Sequence, residues 1–301
     1  MSKHILITGA TGMIGKRVTT VLRNAGHYIS VLSRKHADIP GVKTYIWDVY
    51  KQQIDPACMK GVDTIIHLAG ENIASEKWTA KRKQQLIDSR VLSTRLLHKT
   101  IKETGANVRD FISASAVGYY GDCGEEILTE ENAPGFGFMA ECCKQWEDEI
   151  DKGKTYGLRI VKLRIGVLLA KGEGALASLE KPVKFFVGAP LGSGKQWIPW
   201  VHVDDIVAMF CAAVENPLMI GAYNACAPFP VTNETLTKTI AEKLHRPVWP
   251  VKVPEGVLKF ILGEMSDVIF ISTNTSAQKL LSTDFRFKYT QLQDALSDIY
   301  S

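Results

Sequence analysis

Runs of apolar, β-branched residues alternate with longer stretches of helical spacing through the first half of this 301-residue chain. The longer stretches predict amphipathic helices at 14–25 and 82–104. The short runs predict six strands, at 4–8, 28–32, 44–47, 64–68, 110–115 and 159–164. Strands that alternate with helices are typical of βαβ units. The pattern therefore predicts an α/β fold with a Rossmann-like, doubly wound parallel sheet.

The pattern changes after Gly166, where glycines and prolines crowd the chain and indicate loops and short elements. The later elements that the periodicity predicts are helices at 203–215 and 234–244, a strand at 222–225 and a mostly helical tail from 254 to 300. We expect a nucleotide-binding Rossmann domain at 1–165. A smaller C-terminal α/β substrate lobe is expected at 166–301, with parts of it returning to the Rossmann sheet.

Polar residues mark the starts of two of these helices. Asp204 and Asp205 are expected to cap the first, and Asn233 the second, because their side chains accept hydrogen bonds from free N–H groups. The glycine-rich loop before the helix at 203–215 carries Trp197 and Trp200. Two roles stay open for this loop: closing over a flat or sugar-like ligand, or pinning the lobe to the sheet.

Composition narrows the classes of function. The apolar content of 46% suffices for one large core or two lobes, and no run of 18 apolar residues predicts a membrane span. The first apolar run begins within a few residues of Met1, which leaves no room for a signal peptide. The six cysteines lack C-x-x-C spacing. We therefore expect a cytoplasmic protein without a metal site or membrane contact.

Charge argues against a nucleic-acid partner. The formal net charge is +4, and the basic residues are scattered. The tightest basic cluster, at 81–83, lies in a helical pattern and is expected to form a solvent-exposed face. Nucleic-acid binding is therefore disfavoured.

Residues 8–15 read TGATGMIG and join an apolar strand to an amphipathic helix. Gly9 allows a tight turn, Gly12 lets the backbone approach a pyrophosphate, and Gly15 lets the helix pack closely on the strand. The N–H groups and the positive dipole end of the helix then face the phosphates. This context predicts a dinucleotide site rather than a glycine-rich turn without a ligand.

The end of the second strand distinguishes NADP from NAD. Enzymes that use NAD place an acidic residue there, which bonds the ribose hydroxyls and repels a 2′-phosphate. This chain has Ser33, Arg34 and Lys35 instead. Arg34 can bind a phosphate through its planar fork. The sequence predicts NADP(H) as the cofactor, with a solvated loop start as the alternative reading of Arg34 and Lys35.

The glycine spacing with Thr8 in front resembles the extended, epimerase-like branch of the short-chain dehydrogenase/reductase superfamily. Three further segments narrow this resemblance: ENIASEKW at 71–78, SASAVGYYG at 113–121 and GAPLGSGKQWIPWVHVDDI at 188–206. Together they resemble, over nearly the whole chain, an atypical NAD(P)-dependent epimerase-family group. That group contains SDR39U1-type and bacterial sugar-nucleotide-epimerase-like proteins.

The resemblance implies further contacts with the cofactor. Asp48 ends the third strand, where the superfamily places an acid near the adenine. The segment HLAG at 67–70 resembles the wall beside the adenosine ribose, although its histidine lies in an apolar strand pattern and is expected to be structural. By likeness alone, Gln85, Arg90 and Arg164 also approach the cofactor. The complete set of expected cofactor residues is Gly9, Thr11, Gly12, Met13, Ile14, Gly15, Ser33, Arg34, Lys35, Asp48, Leu68, Ala69, Gly70, Glu71, Gln85, Arg90, Ser113 and Arg164.

The expected catalytic residues are incomplete. Reductases of this superfamily hold the substrate oxygen with Ser or Thr and use a Tyr as general acid/base, whose pKa a Lys four residues later lowers. Ser115 matches the serine, but no tyrosine in the chain has a lysine at the fourth position after it. Tyr119 and Tyr120 are the nearest substitutes. Tyr120 is therefore a catalytic candidate, against a packing role for both beneath the nicotinamide.

The helix near residue 138 offers little in place of that pair. Lys144 and Glu141 are expected to be solvated helix residues. Nothing in the sequence indicates a lowered pKa for the thiols of Cys142 and Cys143.

Two functions therefore stay open. The leading one is an NADP(H)-dependent oxidoreductase or epimerase-like enzyme with an atypical proton donor, acting on an unidentified carbonyl or sugar-type small molecule. The alternative is a non-catalytic NADP(H)-binding module that reports redox state to a protein partner. By resemblance, the helix at 82–104 and the helix around Lys144 occupy positions that pair in homodimers of the extended family.

Overall fold

The computed structural model describes residues 2–301. In chain order, its strands are β1 (His4–Thr8), β2 (Tyr28–Ser33), β3 (Lys43–Asp48), β4 (Gln53–Ile54), β5 (Thr64–His67), β6 (Asp110–Ala116), β7 (Ile127–Leu128), β8 (Arg159–Ile165), β9 (Val167–Leu169), β10 (Trp197–Ile198), β11 (Trp200–His202), β12 (Gly221–Ala225), β13 (Val231–Thr232) and β14 (Asn274–Thr275). Its α-helices are α1 (Met13–Asn24), α2 (Ala80–Thr104), α3 (Phe138–Asp151), α4 (Gly174–Lys184), α5 (Val203–Glu215), α6 (Asn233–Lys243), α7 (Glu255–Leu262), α8 (Asp267–Phe270), α9 (Gln278–Leu281) and α10 (Leu292–Tyr300).

The central sheet has eight strands in the order β12-β8-β6-β5-β1-β2-β3-β4. All neighbours pair in parallel except β3 and β4. The chain builds outward from β1 through β2 and β3, then returns to the other side of β1 and continues through β5, β6 and β8. The topological switch point therefore lies beside the carboxyl end of β1, where open α/β sheets bind ligands.

Helices cover both faces of this sheet. Helix α1 packs against α5, and α2 packs against α3. Ile5, Leu6 and Ile7 are consecutive in β1 and all fully buried. Side chains alternate between the faces of a strand, so burial of all three means that neither face of β1 meets solvent. The predicted doubly wound parallel sheet is confirmed, and its six predicted strands and two predicted helices end within two residues of their expected positions.

The second half of the chain divides its elements between two places. Strand β12 joins the central sheet beside β8. Helix α5 and Leu280 of α9 also pack into the core around this sheet. Helices α4, α6 and α10 and strand β11 contribute to a separate apolar cluster that includes Leu176, Trp200, Leu236 and Leu296. Three two-stranded ladders complete this region: β10 with β13, β9 with β11, and β7 with β14.

The expected cap of α6 is wrong by one residue. Thr232 caps this helix, with its side chain accepting from the backbone N–H of Thr235 at 3.2 Å. Asn233 is the first helical residue. Its side-chain oxygen accepts from the backbone N–H of Leu191 at 2.8 Å, so it holds the preceding loop instead.

The expected caps of α5 are also wrong. His202 occupies the cap position, and its Nδ1 accepts from the backbone N–H of Asp204 at 3.1 Å. Asp205 lies in the first turn but accepts from the backbone N–H groups of Lys288 and Tyr289 at 2.7 and 3.1 Å. It anchors the tail of the chain, which is a tertiary contact that local sequence does not show.

None of the helices in the described part of the chain is long and apolar enough to cross a bilayer.

Candidate functional site

The glycine turn, defined as residues 8–15, lies at the switch point of the sheet. Gly9 has a φ of +69°, and its carbonyl accepts from the N–H of Gly12 at 3.0 Å. A methyl group on Gly9 would come within 2.7 Å of the Leu68 carbonyl oxygen, and one on Gly15 would overlap the carbonyl oxygen of Gly9. Helix α1 can therefore start this close to the strand only with glycine at both positions. Gly12 is exposed at the helix start and has no side chain to obstruct the N–H groups.

Thr8 and His67 hold the two strand ends on either side of the switch point. The Thr8 hydroxyl accepts from the backbone N–H groups of Leu68 and Ala69, both at 3.1 Å, and lies 2.8 Å from His67 Nδ1. The other ring nitrogen lies 3.1 Å from the Ser93 hydroxyl. Burial lowers the pKa of His67 to about 3, so the ring is neutral. The expected structural role of this histidine is confirmed, because both its nitrogens are satisfied inside the core.

The end of β2 carries an exposed arginine whose partner comes from the segment after β5. Arg34 Nη1 lies 3.2 Å from Glu71 Oε1. The second carboxylate oxygen, Oε2, lies 3.4 Å from Nη1 of Arg82. We call these three residues the Glu71 cluster. Ser33 and Lys35 flank Arg34, one half-buried and the other exposed.

The expectation that residues 81–83 form a solvated face is wrong for Arg82. Its side chain is only 7% exposed. Its guanidinium donates to the backbone oxygen of Asn72 at 2.8 Å and to the Ser75 hydroxyl at 2.9 Å. These contacts come from the loop that precedes α2. The loop covers the Arg82 guanidinium, which helical periodicity had predicted to be exposed to solvent.

The start of α2 also brings Arg90 and Gln85 towards this loop. Arg90 Nη2 donates to the backbone oxygen of Glu71 at 3.1 Å, and its guanidinium lies 5.3 Å from the centre of the Trp146 ring. Gln85 is half-buried, with its side-chain oxygen 3.5 Å from Arg82. The Arg90 head packs directly on Gly70. Both residues thus lie against the segment that follows β5.

The remaining expected cofactor residues follow the same sheet edge. Asp48, at the end of β3, accepts from the backbone N–H groups of Tyr50 and Lys51 at 3.1 and 3.0 Å. Ser113 is buried in β6 and donates to the carbonyl of Ala114. The positions that complete the set are Thr11, exposed, and Met13, Ile14, Leu68 and Ala69, all half-buried.

At the carboxyl ends of β6 and β8 lies a buried ionic network formed by Ser115, Tyr120, Glu147, Lys162 and Arg164, which we call the Glu147 network. The Ser115 hydroxyl donates to Glu147 Oε1 at 2.7 Å. Arg164 grips the same carboxylate with Nε and Nη2, at 2.8 and 3.0 Å, and Lys162 lies 3.0 Å away. Burial alone would raise the pKa of Glu147, but the Arg164 hydrogen bonds and the Lys162 charge hold it below its usual range.

Tyr120 is also fully engaged in this network. Its hydroxyl accepts from Arg164 Nη1 at 2.8 Å and donates to Asn224 Oδ1 at 2.6 Å. The side chain is 1% exposed, and burial raises the pKa of its phenol above the usual range. Its hydrogen bond to Asn224 would have to break before this phenol could donate a proton to a ligand.

Tyr119 is the half-buried neighbour, and its ring lies against the same arginine. The Arg164 guanidinium carbon is 3.6 Å from the centre of the Tyr119 ring. On α3, Lys144 is exposed and pairs with Asp148 at 2.7 Å, as expected for a solvated helix residue. Burial raises the pKa of the Cys143 thiol. Of the two tyrosines, Tyr119 is therefore the one that is partly exposed, whereas Tyr120 is buried.

The Trp200 ring anchors the second lobe. It is fully buried, and its Nε1 donates to the Phe229 carbonyl at 2.9 Å. Trp197 is half-buried in β10, which pairs with β13. Of the two roles left open for this loop, pinning the lobe is therefore the one that the contacts of Trp200 support.

Sequence reasoning named Ser115 and Arg164 but missed that Glu147 joins them. A signal was present. Lys162 and Arg164 are two positions apart in a strand and so share one face, where two unpaired buried cations would be unfavourable. A carboxylate on the covering helix was needed to compensate them.

Comparison with known proteins agrees with this architecture. The family model described as "NAD dependent epimerase/dehydratase family" matches residues 5–226, and a domain of unknown function, DUF1731, matches residues 253–299. The epimerase family protein YfhF of Bacillus subtilis is 36% identical over 98% of this chain and 97% of its own length. The chloroplastic SDR39U1 homolog of Arabidopsis thaliana is 34% identical over 98% of this chain and 86% of its own.

Among solved structures, the human epimerase family protein SDR39U1 (isoform 2) with NADPH is similar with a TM-score of 0.86. It is 27% identical, and the match covers 99% of each chain. The expected resemblance to the SDR39U1-type group is confirmed by these relatives. The chain belongs to the NAD dependent epimerase/dehydratase family.

Proposed function

We propose that this chain binds NADPH along the carboxyl edge of its central sheet and uses it as an oxidoreductase or epimerase-like enzyme. The substrate would be a carbonyl or sugar-type small molecule, bound between the Rossmann domain (1–165) and the substrate lobe (166–301). The six cysteines are free thiols within residues 2–301, which fits a reducing, cytoplasmic setting.

The glycine turn carries the cofactor part of this proposal. Gly9 and Gly15 shape a backbone cradle that a Cβ atom would fill, and α1 directs its first N–H groups out of it. Arg34 and Lys35 stand at the end of β2 where an NAD enzyme has an acid. The residues present therefore fit a dinucleotide with a 2′-phosphate. Bound NADPH would supply a hydride, and the chain would supply orientation and a proton.

The proton donor remains the unusual part of the site. The hydroxyls of Ser115 and Tyr120 already donate hydrogen bonds within the protein, to Glu147 and to Asn224. Tyr119 is half-buried at the same edge, so we propose it as the donor in place of the missing tyrosine–lysine pair. Ser115 would then keep a supporting role, holding Glu147.

Two measurements test this function. Fluorescence titration should show NADPH binding at least about tenfold tighter than NADH, which corresponds to about 1.4 kcal/mol; equal affinities would contradict the assignment of Arg34. Oxidation of NADPH should follow addition of a member of a carbonyl and nucleotide-sugar library. Tyr119→Phe should abolish this turnover without changing NADPH affinity. Tight NADPH binding without turnover on any substrate would contradict the enzymatic part.

The engagement of both Ser115 and Tyr120 favours a second candidate, a non-catalytic NADP(H)-binding module. Such a module would bind a protein partner differently in its NADPH and NADP⁺ forms. Pull-downs with each nucleotide, and with none, distinguish the two candidates. Identical partners under all three conditions would argue against the module.

A further inference from the structure

Glu71 is the shared partner of two arginines that differ in how firmly they are held. One carboxylate oxygen meets Arg34 at 3.2 Å and the other meets Arg82 at 3.4 Å. Arg34 is 77% exposed, whereas Arg82 is 7% exposed. A carboxylate set between two guanidinium groups occupies the kind of place that a phosphate group also fits.

The contacts show which of these partners can move. Arg82 is tied to Asn72 and Ser75 by hydrogen bonds of 2.8 and 2.9 Å. The backbone of Glu71 is held at both ends, with its N–H donating to the Ser89 hydroxyl at 3.1 Å and its carbonyl accepting from Arg90 at 3.1 Å. Arg34 has Glu71 as its side-chain contact and is otherwise in solvent. Arg34 is therefore the member that can exchange its partner.

Tyr50, two residues after β3, lies close enough to the same cluster for its charges to act on the phenol. Burial, together with the charges of Glu71 and Asp88, raises the pKa of its phenol. Its ring is 52% exposed beside the exit of β3. The Glu71 cluster thus lies at the edge where the proposed function puts the adenosine of the cofactor.

We propose that Glu71 competes with the 2′-phosphate of NADP(H) for Arg34 and so sets the strength of the preference for NADP(H) over NAD(H). This inference rests on the proposed function. The 2′-phosphate, which carries more charge than the carboxylate, draws Arg34 away from Glu71. Glu71 then keeps Arg82 as its partner. Breaking the pair between Arg34 and Glu71 costs free energy, and this cost weakens binding of NADP(H) without affecting NAD(H), which has no phosphate at that position.

The experiment measures binding of 2′,5′-ADP and 5′-AMP by calorimetry, because these two probes differ only in the 2′-phosphate. Glu71→Gln should bind 2′,5′-ADP about fivefold tighter than the unchanged protein, as expected for loss of one competing exposed ion pair. Its affinity for 5′-AMP should stay the same. Glu76→Gln, an exposed acid in the same loop, is the matched control and should change neither affinity.

Two further variants test whether the gain depends on the pair between Glu71 and Arg34 rather than on the loss of a negative charge alone. Glu71→Asp keeps the charge but is too short to bridge both arginines, and it should also bind 2′,5′-ADP more tightly. When Glu71→Gln is added to Arg34→Met, the affinity for 2′,5′-ADP should not increase, because no arginine remains at position 34 for the carboxylate and the phosphate to compete for.

The outcomes separate the two proposals. If the unchanged protein binds 2′,5′-ADP no better than 5′-AMP, the proposed NADP(H) function fails. If it prefers 2′,5′-ADP but Glu71→Gln binds this probe equally or more weakly, the role of Glu71 is overturned and the cofactor assignment stands. A gain for both probes would likewise overturn it, since the effect would then not involve the 2′-phosphate.

Discussion

The Glu71 cluster and the Glu147 network each place one carboxylate between two cations, yet they differ in nearly every other respect. In the Glu71 cluster, Arg34 is 77% exposed and its distance to the carboxylate is 3.2 Å. In the Glu147 network, Glu147 and Arg164 are each 4% exposed, and the two are joined by a pair of hydrogen bonds. Both lie at carboxyl ends of strands in the same sheet.

The difference teaches what each carboxylate can do. An exposed pair is worth little and can be exchanged for a ligand. A buried, doubly bonded pair cannot be broken without leaving a charge in the core, which costs several kcal/mol. Partner exchange is therefore available at the β2 end of the edge, and rigidity is enforced at the β6–β8 end. Four predictions test this contrast.

The largest effect is expected at the buried carboxylate. Glu147→Gln leaves the buried Arg164 without a compensating carboxylate, while Lys162 keeps Asp151 as a partner at 2.9 Å. The variant should lower the free energy of unfolding by about 3–5 kcal/mol. Urea denaturation measures it. Glu141→Gln on the exposed side of the same helix should change stability by less than about 0.5 kcal/mol. Similar small effects for both variants would mean that the network is not rigid.

Gly15→Ala should disturb the glycine turn itself. The added methyl would overlap the carbonyl oxygen of Gly9, so α1 must move away from the strand at a cost of about 1–3 kcal/mol. NADPH affinity should fall by at least about tenfold as the N–H groups shift. Gly256→Ala in α7, where a methyl would meet open space, should leave NADPH binding unchanged. Equal binding by the two variants would contradict the assigned phosphate site.

Two buried histidines, His67 and His98, should make stability depend on pH. Burial lowers the pKa of His67 to about 3 and that of His98 to about 4, below the value of about 6.5 expected in the unfolded chain. Between pH 6.5 and 4 the unfolded chain therefore binds protons that the folded chain does not. As the pH is lowered through this range, the free energy of unfolding should decrease by up to about 1.4 kcal/mol per pH unit for each histidine.

His67→Gln should reduce this slope, measured by urea denaturation at pH 7, 6 and 5. His36→Gln, at an exposed position, should leave the slope as it is. A slope that His67→Gln does not alter would show that burial of this ring is not the cause.

The smallest effect is expected at the exposed arginine. Arg34→Met should weaken NADPH binding about tenfold and leave NADH binding and stability unchanged, because the side chain meets the 2′-phosphate and little else. Fluorescence titration with both nucleotides measures this. Lys102→Met at the far end of α2 is the control. An equal loss for both nucleotides would place Arg34 elsewhere than at the phosphate.

Local patterns predicted the elements that local physics governs. The spacing of apolar residues placed α5 at Val203–Glu215, and the glycine triplet placed the turn at the end of β1. The helix caps could not be read in this way. Thr232 and Asn233 are adjacent and both can cap, and the contact that decides between them comes from Leu191, far away in sequence.

The same limit applied to charged side chains. Arg82 reads as one of three consecutive cations on a helix, but the loop from Asn72 to Ser75 folds over it. Ser115 reads as a catalytic hydroxyl, but α3 brings Glu147 within 2.7 Å of it. Hydrogen-bond partners from distant elements changed both interpretations.

By itself, the sequence determined the parallel sheet, its glycine turn and the absence of an acid at the end of β2. These follow from periodicity, from the lack of a Cβ atom and from charge, all properties of a residue and its neighbours. Only the tertiary structure decided which hydroxyls are already hydrogen-bonded and which charges are already paired within the protein. Burial and pairing depend on elements that come together across the fold, and they separate the exchangeable Glu71 cluster from the rigid Glu147 network.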